Sequence, residues 1–413
     1  IQSIFETLHP IALITEKQYE HKAQNLHPQV FIYENMIPTE INHQKLNEIR
    51  NQMIDNDPLY ALFTSGSTGV PKGAVVSHRN VMNYASWFKE TFDIHEDTQF
   101  GSQTPFYFSM SVSDVFSTIM AGASLHILPK KLFSFPVKLI EYMNEKQVNT
   151  IYWVPSALGI IANMKVLDYI KLNDVQKVLF AGEVMPTKHL NYWKKHLPHA
   201  LYANLFGPTE TTDICTYYIV DRDFEPGDVL PMGKAFPNEK VFLLDEEDHL
   251  VTEKRINGEI CVAGSALALG YYRNPEQTKK AFVQNPLNDR YLEPIYRTGD
   301  LAFYNENGEL CFATRKDFQI KHMGHRIELG EIETAMDKLP EIRRSLCIYD
   351  QAKNKIVAFY EGDIDRKQLS RSLVKYVPNF MVPNVFVQVD TMPLTKNGKI
   401  DRKELTARYQ EGR

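Results

Sequence analysis

The chain has little cysteine: Cys215, Cys261, Cys311 and Cys347 are the only four in 413 residues. They are widely spaced and form no Cys-x-x-Cys pair, which excludes a disulfide-stapled small scaffold and leaves reduced core thiols of a cytoplasmic protein as the expectation. No apolar run approaches the roughly eighteen residues that a membrane helix takes, so no span is expected. The thirteen histidines never fall in a His-Glu-x-x-His pattern, which argues against a tightly held transition metal. Residues 1–8 have neither a basic leader nor an uninterrupted apolar core, so a secretion signal is not expected there. A formal net charge of −5 supplies no basic field, and no block of like charge forms a tail. Nucleic acid is therefore not an expected partner.

What is present includes one segment of unusual composition. Thr64-Ser65-Gly66-Ser67-Thr68-Gly69-Val70-Pro71-Lys72-Gly73 holds three glycines, four hydroxyls and a lysine. It follows the apolar run Leu59 to Phe63, which reads as a buried strand. Glycines let backbone N–H groups turn toward one point, hydroxyls add short donors and lysine adds charge, a combination suited to wrapping a polyphosphate. It is not a Walker loop, because Lys72 is preceded by proline and followed by glycine. A flexible Gly/Ser linker is the plain alternative, but a linker rarely follows a strand directly or ends in Pro-Lys-Gly.

The length allows two or three domains. Residues 1–57 show two short apolar runs, at 11–14 and 30–33, and end in a polar helix or linker at 44–57 without legible chemistry. Ser77-His78-Arg79-Asn80 is expected to cap a helix running through Val81, Tyr84 and Phe88. The segment 104–116 leads into a helix ending near Gly122. Strand candidates at 124–128, 150–154 and 177–180 then alternate with helices at 137–146 and after Pro155. This alternation predicts an α/β fold with a largely parallel sheet. Beyond Val220, short strands at 241–244, 258–262 and 301–304 lie between Gly, Pro and Asn turns and predict a smaller β-rich subdomain. A final α+β unit is expected from a helix at 329–339, strands at 345–349 and 356–360, a helix at 366–377 and a strand at 384–390.

Further motifs follow in order. Asn204-Leu205-Phe206-Gly207-Pro208-Thr209-Glu210 is one, and Gly258-Glu259-Ile260-Cys261-Val262-Ala263-Gly264 continuing to Gly270-Tyr271-Tyr272 is another. Then come Tyr296-Arg297-Thr298-Gly299-Asp300-Leu301, Thr314-Arg315-Lys316-Asp317 through Gly324-His325-Arg326-Ile327-Glu328, and Pro393-Leu394-Thr395-Lys396-Asn397-Gly398-Lys399. Taken singly, each has a plain reading: a Gly-Pro turn with a surface glutamate, a mixed-charge strand, a solvated lysine in an Asn-Gly turn. Together with the glycine-rich loop they resemble the adenylate-forming superfamily of acyl-CoA synthetases, luciferases and nonribosomal peptide adenylation domains. The later blocks look most like amino-acid adenylation domains and D-alanine:carrier-protein ligases. Two positions depart from the pattern: Phe206 stands where tyrosine is usual, and Thr314 where glycine is usual.

The resemblance implies a large core at 1–316, with 221–316 as its β-rich subdomain, and a mobile lid domain at 317–413 pivoting at Asp317. It implies ATP and Mg2+ as cofactors. Thr64, Ser65, Gly66, Ser67, Thr68, Gly69 and Lys72 would hold phosphates, and Asn204, Phe206, Gly207, Asp300 and Arg315 the rest of the nucleotide. A planar ring suits adenine, and a carboxylate accepting two donors suits the ribose diol of the Asp300 assignment. Thr209, Glu210 and Lys399 would act at the α-phosphate, with Glu210 as the metal ligand, since Mg2+ among phosphates takes one or two carboxylates. The implied reaction is attack of a carboxylate on ATP to give an acyl-adenylate and pyrophosphate, then thioester formation.

The implied substrate pocket comprises Ser109, Met110, Ser113, Gly182, Glu183, Leu205 and Asp213. Relatives that take amino acids carry an aspartate at the position of Ser109 for the α-ammonium, and that ion pair is missing. The acid then either lacks an α-amine or has its charge met elsewhere. Asp213 has two readings: a receiver for a differently placed amine or hydroxyl, or a local partner in the turn 211–213. Asp114 reads as a helix N-terminal residue. Phosphopantetheine on a carrier protein acting in trans is the expected thiol, with CoA as the alternative. A degenerate nucleotide-binding relative without activity is a further alternative. The family's large domain ordinarily starts earlier than this chain, so either an N-terminal segment is omitted or the homologue is short.

Overall fold

Strands buried on both faces are apolar almost throughout, and parallel sheets consist of such strands. In a computed structural model, which describes residues 2–64, 71–225, 228–316, 319–394 and 400–411, the expected runs at 124–128, 150–154 and 177–180 fall in one seven-stranded sheet, together with four strands not expected from the sequence. Its spatial order is Lys234–Ala235, Thr216–Ile219, Leu201–Phe206, Lys177–Ala181, Thr150–Trp153, Gln99–Ser102, Ser124–Ile127. The last five pair in parallel, and the first two add antiparallel. All four residues of Thr150–Trp153 are buried. Helices Pro136–Glu145, Pro155–Asn163 and Thr187–His196 occupy the crossovers, giving the α/β architecture anticipated above.

The helix His78–Thr91 starts as its sequence requires. Ser77 Oγ accepts from the Asn80 backbone N–H at 3.3 Å, and Asn80 Oδ1 accepts from the Ser77 N–H at 2.8 Å, closing a capping box. The Asn80 amide also donates to the carbonyls of Ser265 and Leu267, at 2.6 and 2.9 Å. It thereby ties the helix to a loop about 185 residues away in sequence. Asn80→Ala is expected to lower stability by about 2–3 kcal/mol, combining a lost cap with two bereft carbonyls. A urea midpoint that drops at constant slope would show it.

Two departures have physical causes. The strand Pro58–Thr64 is partly exposed, not buried, because it is the edge of a three-stranded sheet whose order is Gly270–Tyr271, Lys72–Ser77, Pro58–Thr64. The strand expected at 301–304 is the end of the eleven-residue Pro294–Tyr304. Its polar run Arg297 to Asp300 masks it in the sequence, but neighbours on both sides hold it extended.

Past the hairpin formed by Gln319–His322 and His325–Glu328, the chain builds a smaller unit. Helix Leu329–Asp337 packs on antiparallel Ile342–Asp350 and Lys355–Gly362, and Val385–Gln388 joins in parallel. Helix Arg366–Leu373 stops short of the expected 377, as a following Pro378 favours. One buried cluster, which holds Ile332, Cys347 and Leu369, also takes in Ile320 and Ile327 of the hairpin. All four cysteines are free and buried. Among the described residues no helix is long and apolar enough to cross a membrane.

Candidate active site

One tight reversal presents most of the chemistry. The strand Leu201–Phe206 runs out at Gly207, where an added Cβ would lie 2.4 Å from the Ile214 Cα and 2.6 Å from the Asp213 carbonyl oxygen. Only glycine lets the chain fold back so closely. The 3-10 turn Thr209–Thr211 and the left-handed Thr212, at φ +68°, complete the reversal. Thr209, Glu210 and Asp213 therefore leave one short turn in different directions.

Glu210 is fully buried. Its Oε1 accepts from the Tyr271 hydroxyl at 2.7 Å and its Oε2 from Arg326 Nη1 at 2.9 Å. Burial alone would raise its pKa; Arg326 and Tyr271 together hold it below the usual carboxylate range. Arg326 comes from the hairpin 319–328, and its Nε donates to Gln319 at 2.6 Å. Among the described residues no group of three or more His, Cys, Asp or Glu could hold a metal. With both Glu210 oxygens engaged by Tyr271 and Arg326, the residues as arranged here do not fit Mg2+.

A second cluster gathers beside it. Asp300 and Arg315 face each other across paired strands and join at 2.7 Å, their side chains 3% and 8% exposed. Phe206 is buried, with Lys321 Nζ 4.8 Å from its ring centre. Burial pushes the Lys321 pKa down, while Asp300 supports its charge. Lys72 enters from the base of the glycine-rich segment, 5.7 Å from the Tyr271 ring, and Thr64 Oγ1 donates to its carbonyl at 3.5 Å. Asn204 instead turns its amide to the Pro231 carbonyl at 2.7 Å.

The residues expected to line a substrate pocket fall into two places. Thr209 Oγ1 reaches Ser109 Oγ at 3.4 Å, and Ser113 donates to Asp213 at 2.9 Å. Met110 and Leu205 are buried near them, and the Met110 sulfur lies 3.7 Å from where a Cβ on Gly182 would sit. Glu183 joins two elements: it accepts from the Ser156 N–H at 2.8 Å and from the Gly324 N–H at 2.6 Å. It thus clamps the hairpin turn to the large core. His325 adds an edge contact to Phe108 at 5.0 Å.

Ser65, Gly66, Ser67, Thr68, Gly69, Asp317 and Lys399 lie outside the described residues. Sequence reasoning passed over Tyr271, Arg326 and Lys321 as site members, although each sits in a block already singled out. It also passed over Tyr84 and Tyr152, whose hydroxyls turn inward at positions that read as ordinary core aromatics.

The family model described as AMP-binding enzyme matches residues 2–272. Among curated proteins, the chain is 34% identical over 418 residues to zwittermicin A synthase ZmaJ of Bacillus cereus, covering 98% of this chain and 78% of that protein. It is 32% identical over 415 residues to gramicidin S synthase 1 of Brevibacillus brevis, covering 98% of this chain but only 36% of that longer protein. Among solved structures, the Vibrio cholerae adenylation domain AlmE, in complex with glycyl-adenosine-5'-phosphate, superposes with a TM-score of 0.79. It shares 24% identity over 97% of this chain and 75% of that one, a likeness of fold.

Proposed function

Starting from the fact that this chain belongs to the AMP-binding enzyme family, we propose that it activates a small carboxylic or amino acid with ATP. The products are an acyl-adenylate and pyrophosphate, and the acyl group then passes to the phosphopantetheine thiol of a carrier protein. The observation that carries the reading is a linked cluster: Tyr271 and Arg326 hold Glu210, Lys72 lies against the Tyr271 ring, and Lys321 lies over Phe206 and beside the Asp300–Arg315 pair.

No protein nucleophile is needed, because the substrate carboxylate is one. Catalysis is positioning and charge stabilisation: Thr209 donates to the α-phosphate, Lys399 meets the charge developing on the bridging oxygen, and Lys72 meets the departing pyrophosphate. Asp300 accepts from the ribose hydroxyls and Arg315 fixes that carboxylate. Residues 1–316 form the large domain and 317–413 the small one, with Asp317 as pivot. The hairpin 319–328, docked through Arg326–Glu210 and Gly324–Glu183, is the face presented when the small domain is turned toward thioester formation.

The test is ATP–pyrophosphate exchange dependent on an added acid, followed by the mass gain of a phosphopantetheinylated carrier protein. Binding of ATP with no exchange for any small acid would make the protein a nucleotide binder and remove this reading.

A further inference from the structure

Buried carboxylates in folded chains are ordinarily paired with a cation. Glu210 obeys, with Arg326 beside it. Asp213 does not. It is 2% exposed, and among the described residues no Lys, Arg or His pairs with it. Its partners are neutral hydroxyls: Tyr84 at 2.9 Å, Ser113 at 2.9 Å and Tyr152 at 3.1 Å, all donating to Oδ2. They lie 129, 100 and 61 residues away, so the side chain is not serving its own turn. Helix His78–Thr91, helix Ser111–Ala121 and strand Thr150–Trp153 each send one hydroxyl to orient a carboxylate that no cation of the described chain neutralises.

The other titratable groups facing it leave it as the single charge. Burial raises Tyr60, Tyr84 and Tyr152 far above ordinary phenols, so they stay neutral. Asp114, on the helix that carries Ser113, is fully buried, with Ser102 as the polar side chain that acts on it. Burial pushes its pKa up to about 8, so it holds its proton at neutral pH. Burial raises Asp213 only to about 6, because the hydroxyls of Ser113, Tyr84, Tyr152 and Ser109 hold it down.

Position supplies the rest. Thr209 reaches Ser109 in one hydrogen bond, and the Ser109 hydroxyl in turn supports Asp213. Counted from Thr209, the neutral Ser109 is one step away and the carboxylate two. With the reacting carboxylate set beside Thr209, as proposed above, a substituent on the next carbon would meet Ser109 and one a carbon further out would reach toward Asp213. We infer that Asp213 is the counter-ion for the substrate's ammonium group and that the acid is a small β-amino acid. This rests on the adenylation reading above.

The experiment is ATP–pyrophosphate exchange on the unaltered protein with β-alanine and 3-aminobutyrate against glycine, alanine and 3-hydroxypropionate. A β-amino acid is expected to lead in kcat/KM by about a hundredfold, the scale of one charge pair in a buried site. Its kcat/KM should rise with pH through about 6, as Asp213 loses its proton. Asp213→Asn should lower the ratio of β-amino acid to 3-hydroxypropionate kcat/KM by about a hundredfold, whereas a merely structural role would lower both alike and leave the ratio where it was. Ser109→Asp, which moves the carboxylate one step toward Thr209, should shift preference to α-amino acids. Exchange led by an α-amino acid or by the hydroxy acid, or an unchanged ratio in Asp213→Asn, overturns the assignment and leaves adenylation standing. Exchange with no acid at all removes both.

Discussion

Lys399→Ala is expected to slow acid-dependent ATP–pyrophosphate exchange by about 10²- to 10³-fold, the usual cost of removing one preorganised donor from a developing charge. ATP binding should persist, because Asp300, Arg315, Phe206 and Lys72 belong to other segments. Lys399 itself is outside the described residues, so its role stands on the motif Pro393-Leu394-Thr395-Lys396-Asn397-Gly398-Lys399. The separation of binding from exchange is the decisive readout. Unchanged exchange would place the chemistry elsewhere, and loss of ATP binding along with exchange would make the lysine an anchor for nucleotide.

Asp300→Ala should act more broadly. It removes one member of a pair whose side chains are 3% and 8% exposed, taking the Asp300 carboxylate away from the buried Arg315 guanidinium and from Lys321. Breaking a buried pair from one side costs about 3–5 kcal/mol, seen as a lower urea midpoint, and ATP affinity should fall with it. The double replacement Asp300→Ala with Arg315→Met separates the two effects. Stability should recover in part, because one of the two buried cations that Asp300 faces, Arg315, is gone while Lys321 remains, and ATP binding stays lost. Recovery of ATP binding in the double variant would show that Asp300 only supports its neighbour.

Three neighbouring strands of the large sheet, at 124–128, 150–154 and 177–180, were legible from their apolar runs, whereas Gln99–Ser102 and Lys234–Ala235 carry too few apolar residues to announce themselves. The reversal after Phe206 was legible because Gly-Pro leaves the chain few alternatives. What could not be read was pairing across distance. Nothing in the local sequence of Tyr271 or Arg326 says that both point at Glu210, 61 and 116 residues away. Tyr84 and Tyr152 carry the spacing of core aromatics, and they are core; only the assembled fold aims their hydroxyls at one carboxylate. Of the two readings of Asp213, the local one yields to these distant donors. The polar run at 297–300 hid a central strand, because sheet neighbours rather than propensity hold it extended. The metal expectation at Glu210 met a competing cation, Arg326, in this arrangement of the hairpin.

The buried aromatic core has an optical consequence. The chain has three tryptophans, and Trp87, Trp153 and Trp193 all lie in the buried cluster of the large sheet; the buried clusters of the smaller unit contain none. Intrinsic emission therefore reports the large core and is silent about the smaller unit, whereas far-ultraviolet circular dichroism sums over both. In a denaturant titration the two signals coincide if the units melt together and separate if the smaller one melts first. By the same token, an emission change on adding ATP records events around the large sheet and does not report directly on the smaller unit.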